Sequence, residues 1–110
     1  MTRGIQARRE AARLRWEVIS GLRRWASGSL AHEAAVELLV SWAGGRFIRS
    51  GRAWIRPCDR PGWYWLDGDA LRAYAPRLAE SDRRVLFLAA ELLAGSRRTR
   101  RRVESGRAAA

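Results

Sequence analysis

Histidine and cysteine each occur once in this chain of 110 residues, which leaves few ways for it to catalyse a reaction. Cys58 and His32 form the one nucleophile–base pair available, and nothing in their spacing recommends them as a dyad. His32 falls at the edge of an apolar helix face, where a structural role is the ordinary case, and Cys58 lies in a proline-rich loop. A metal site needs three or four ligands at recognisable spacing. His32-Glu33 lacks the second histidine of a zinc helix, and Asp67-Gly68-Asp69 reads better as a helix N-cap than as a metal loop. Glu33 and Glu37 stand one turn apart and could pair as acid and base, but a solvated helix face is the default explanation. The chain contains no lysine, so it offers neither a Schiff base nor a phosphate-loop lysine. The expectation is a non-enzymatic protein with no metal and no cofactor.

Binding chemistry is better represented. All 22 basic residues are arginine and the net charge is +11, which points to an anionic partner, nucleic acid first and an acidic protein surface second. The charge is segregated. Residues 1–28, 46–66 and 96–110 carry +5, +4 and +5, whereas residues 29–45 and 67–95 carry −2 and −1 and are the most apolar. Three groups of residues could therefore meet a polyanion. Arg9, Arg13 and Arg23 surround Trp16 on a first helix, opposite its apolar stripe. Arg46, Arg49, Arg52, Trp54 and Arg56 share an arginine-rich hairpin, where aromatic planes beside guanidinium groups suit base stacking and phosphate contact; in the other register Phe47 and Trp54 face the helices as core. Arg97, Arg98, Arg100, Arg101 and Arg102 form a basic tail with non-specific grip.

The elements that must position these residues follow from periodicity. Helix one spans about residues 2–25, with Ala7, Ala11, Leu14, Val18, Leu22 and Trp25 inside an arc of about 80°. Ser27-Gly28-Ser29 breaks it and caps a second helix, about Leu30–Ala43, which should fold back as an antiparallel hairpin. Arg46–Arg49 and Arg52–Arg56 flank Ser50-Gly51 as a two-residue turn, and Trp63–Leu66 reads as a third strand of a meander. Asp67 or Asp69 caps a short helix through about Ala75, ended or kinked by Pro76. A last helix runs from Ser81 or Asp82 to about Ala94, stopped by Gly95. The predicted class is α+β: an N-terminal helical hairpin, a small three-stranded antiparallel sheet, two C-terminal helices and a disordered basic tail. Residues 1–95 form one domain and 96–110 a mobile arginine-rich tail.

Lone Cys58 and the lack of an apolar leader suggest a reducing cytoplasm, and no run is long enough to span a bilayer. The primary expectation is a small basic nucleic-acid-binding accessory protein, DNA or RNA, acting through electrostatic contacts. The alternative is a protein-interaction module (an adaptor, inhibitor or subunit of a larger assembly) using exposed members of the six tryptophans. Attachment to a membrane surface through helix one ranks lower, because the stripe that would insert is the stripe the core needs.

Overall fold

A computed structural model describes residues 2–49 and 51–109, with side chains for residues 4–49 and 51–95. Along the chain run α1 (Thr2–Ala26), α2 (Leu30–Ser41), a 3-10 turn over Trp42–Gly45, β1 (Ile55–Pro57) and β2 (Tyr64–Leu66). These are followed by α3 (Gly68–Tyr74), a 3-10 turn over Ala75–Arg77 and α4 (Glu80–Ala109). The fold is mostly helical.

The helical hairpin forms as its break residues dictate. The Ser29 hydroxyl accepts from the His32 backbone N–H at 3.3 Å and caps α2, supplying one of the orphan donors of a helix start. Arg23 pairs with Glu37, and Arg15 donates to the Gly44 carbonyl. Earlier residues of α1 thus meet later residues of α2, as antiparallel packing requires. The chain leaves α2 through Ala43, Gly44 and Gly45, all with positive φ (49°, 68° and 73°). Gly45 is doubly constrained, since the Arg15 guanidinium also occupies the space a Cβ would need.

The three-stranded meander is not present. The sheet has two strands, with Ile55 opposite Leu66, Arg56 opposite Trp65 and Pro57 opposite Tyr64. The loop Cys58–Trp63 joins them, so the stretch expected as the first strand, Arg46–Arg49, is irregular and the fold is not the α+β meander predicted. Ser50 of the expected turn lies outside the described residues. Burial supplies the reason. Phe47 and Ile48 are both buried, and so are Trp54 and Ile55, whereas a strand sends successive side chains to opposite faces. In addition, the Trp54 indole N–H donates to the Phe47 carbonyl at 2.8 Å, giving that backbone group a side-chain partner in place of a neighbouring strand. The expected register would also have set Arg49 against Arg52, two like charges.

Asp67 caps α3, accepting from the N–H groups of Asp69 and Ala70 at 3.1 and 3.2 Å, and Pro76 lies in the 3-10 turn that ends it. The stop expected at Gly95 does not operate, because α4 continues to Ala109. An interior glycine costs a helix only about 1 kcal/mol, and the arginines and alanines around it are good helix formers. The side chains of Arg97, Arg98, Arg100, Arg101 and Arg102 lie outside the described residues, but the backbone of their segment is helical in place of the disordered tail expected.

The core is assembled from every element: Val18 and Leu22 of α1, Val36 and Leu39 of α2, Ile48 and Trp54 of the connecting segment, Leu66 of β2, Leu71 of α3, and Leu86 of α4. The apolar stripe of α1 joins this core only from Val18 onward. Ala7, Ala11 and Leu14, which periodicity assigned to the core, are exposed. At Gly21, α1 lies directly on the β1–β2 loop. A methyl there would overlap the Gly62 carbonyl oxygen and come within 2.7 Å of the Tyr64 ring. Gly21→Ala should therefore destabilise the fold by about 1–3 kcal/mol through overpacking, although alanine is the better helix former by about 1 kcal/mol. A urea midpoint at or above that of the parent would refute this close approach.

Candidate interaction surface

His32, Glu33 and Glu37 each make contacts of their own, and Cys58 lies in a loop. The His32 ring is buried and stacks on Trp25, centroids 4.5 Å apart and 11° from parallel. Cys58 lies in the β1–β2 loop, where its backbone N–H donates to Trp63. Burial and the neighbouring Asp59 carboxylate push its thiol pKa up, which disfavours the nucleophilic thiolate at neutral pH. Glu33 accepts from the Gly28 backbone N–H at the start of α2, and Glu37 from Arg23, so the two carboxylates do not act together. The Arg23 bond, more than any other influence, holds Glu37 below the usual carboxylate range and raises Arg23. Glu37 thus contributes a little stability above its unfolded pKa, and this is lost as pH falls through the lowered folded value. Both side chains are about half exposed, so the contribution is small. Among the described residues no group of three or more His, Cys, Asp or Glu could hold a metal.

The residues expected to meet nucleic acid are dispersed. Arg13 lies 4.0 Å from Glu17, and Arg23 donates to Glu37 at 2.7 and 3.1 Å. Arg56 donates to Asp67 at 3.1 Å. Arg46 pairs with Asp82, a buried carboxylate that also accepts from the Trp42 indole at 2.8 Å. Trp54 is 1% exposed, so it offers no ring face to a base. It packs tilted against Phe47 and Tyr74, with centroids 6.2 and 5.1 Å away. Arg46 stands over Phe47 at 5.0 Å, and Arg52 over Trp54 at 5.4 Å. Aromatic planes and guanidinium groups do meet here, as the sequence suggested, but they stack on one another. The cluster reaches the surface at half-buried Tyr74. Arg9 and Arg49 are exposed, and among the described residues neither is in an ion pair.

What the structure brings together instead is the first half of α1. From Gly4 to Glu17 every residue is exposed, and Ile5, Leu14 and Trp16 are 53%, 42% and 62% exposed. The body starts to cover the helix at Val18. Where the helix leaves the body, Ala11, Ala12, Leu14, Arg15 and Arg49 line an open cleft of about 540 Å³. Arg15 bridges its floor to the α2 exit through Gly44. Sequence reasoning found Trp16 on this half of the helix but assigned Leu14 and Ala11 to the core and passed over Ala12 and Arg15. A signal was present. The stripe is alanine-rich before Val18 and bulky after it, and Arg8 and Arg15 fall only about 60–80° round the helix from its centre.

Among the described residues no helix is long and apolar enough to cross a membrane. Comparison with protein-family models, curated proteins and solved structures gives no match to this chain.

Proposed function

We propose that this protein is an interaction module that docks a partner protein on the projecting half of α1. One observation carries the reading: the apolar stripe of α1 continues for three turns beyond the point where the body stops covering it, with Ala7, Ala11 and Leu14 exposed. A free helical stretch of this length is marginal in water, and contact along its apolar side would stabilise it. Trp16 adds an exposed indole on the opposite face of the same helix, and Trp and Arg are the residues enriched at interface hot spots.

Nucleic-acid binding keeps the support of the net charge of +11, but the geometry favours it less. Four of the described arginines assigned to it are paired with carboxylates, and the Trp54 ring is enclosed.

The test is a photo-crosslinking amino acid placed at Leu14 of the full chain, in the cells that make it. A discrete protein adduct that survives nuclease, and disappears when Ala11→Glu is added, supports the reading. Adducts to nucleic acid alone, or none at all, would sink it.

A further inference from the structure

Resting on that reading, we infer that the partner presents an acidic amphipathic helix, whose carboxylates meet Arg8, Arg15 and Arg49 along the cleft beside α1. The cleft combines two kinds of surface. Ala11, Ala12 and Leu14 give it apolar walls, and Arg15 and Arg49 give it positive charge. Among the described residues Arg8, Arg15 and Arg49 are in no ion pair, so their charge is available to an incoming anion. Arg8 stands two turns before Arg15 on the same side of α1, about 10 Å along the axis. A helix laid beside α1 would match this spacing with acidic residues seven apart, between apolar rows that cover Leu14 and Ala11 on one side and Ala12 on the other.

The geometry disfavours the other occupants. Glu10 and Glu17 lie on the far side of α1 from Arg8 and Arg15, by helical position, so a second copy placed face to face would set arginine against arginine. A bilayer surface is flat, whereas this site is a cleft between α1 and Arg49 of the body. Phosphate backbones would gain the charge but leave the alanine and leucine walls in water.

The probe is a fluorescein-labelled helical peptide with Glu at every seventh position between rows of Leu and Ala, titrated into the full chain at 50 and 200 mM salt. The expected result is binding to the glutamate peptide about tenfold or more tighter than to its glutamine counterpart, on the scale of a close charge pair. Arg8→Glu with Arg49→Glu, both surface changes, should abolish that preference and create one for a lysine version of the peptide. Equal binding of the glutamate and glutamine peptides, or no binding, would overturn the inference. So would partition onto phosphatidylglycerol vesicles in the absence of peptide binding, or a concentration-dependent dimer that excludes the peptide. A protein adduct from position 14 with no peptide preference would remove the acidic helix and leave the docking role standing. Loss of the adduct would remove both.

Discussion

Trp54→Ala should lower stability by about 3–5 kcal/mol, the cost of emptying a buried tryptophan site. The side chain is 1% exposed and sits between Phe47 and Tyr74, so its removal leaves a cavity that the neighbouring strand, tied down at Ile55 and Leu66, cannot collapse. Its N–H also satisfies the Phe47 carbonyl. Trp54→Phe separates the two contributions: most of the ring volume stays, the hydrogen bond goes, and the expected cost is about 1–2 kcal/mol. For a domain whose total stability is of order 5–15 kcal/mol, the alanine variant could be substantially unfolded at 37 °C. Urea unfolding of both variants at unchanged slope is the measurement. A cost below about 1 kcal/mol for alanine would mean that the indole is not the hub of this segment. The same experiment bears on the stacking role the sequence suggested, because any loss of nucleic-acid binding in Trp54→Ala would first have to be separated from loss of the fold.

The parts of this fold governed by local chemistry were legible before the structure. Ser29 caps α2 and Asp67, one of the two candidates, caps α3; Ser27-Gly28 breaks α1, and Pro76 lies in the turn that ends α3. Each depends on a few adjacent residues. The failures arose where distant groups decide. Arg46–Arg49 has the composition of a strand, but Phe47 is fixed by an indole seven residues on and Arg46 by Asp82 on another helix. Periodicity in α1 identified an apolar face correctly and could not show what covers it, since coverage depends on where α2 and β2 end. The arginines divide for the same reason. Composition counts 22 of them, while the ion pairs with Glu37, Asp82, Asp67 and Glu91 that engage several appear only once the chain has folded. The ranking against surface attachment by α1 also relied on the stripe being internal, which holds only from Val18 onward.

That boundary on α1 can be tested with two identical substitutions on one helix face. Leu22→Ala should cost about 2–5 kcal/mol, because Leu22 is 0% exposed and its loss removes contacts on all sides. Leu14→Ala, two turns earlier on the same stripe, removes a side chain that is 42% exposed. It should fall within about 0.5 kcal/mol of the parent, since leucine and alanine are similar helix formers and no core void follows. If the stripe were covered throughout, as its periodicity alone implies, the two costs would be comparable. If instead the body begins at Val18, they separate by about a factor of four or more, and the leucine that stability does not need is the one placed to meet a partner. Urea titration of the isolated protein gives the separation directly. A Leu14→Ala cost above about 2 kcal/mol would place that side chain inside the fold and remove the surface on which the docking role depends.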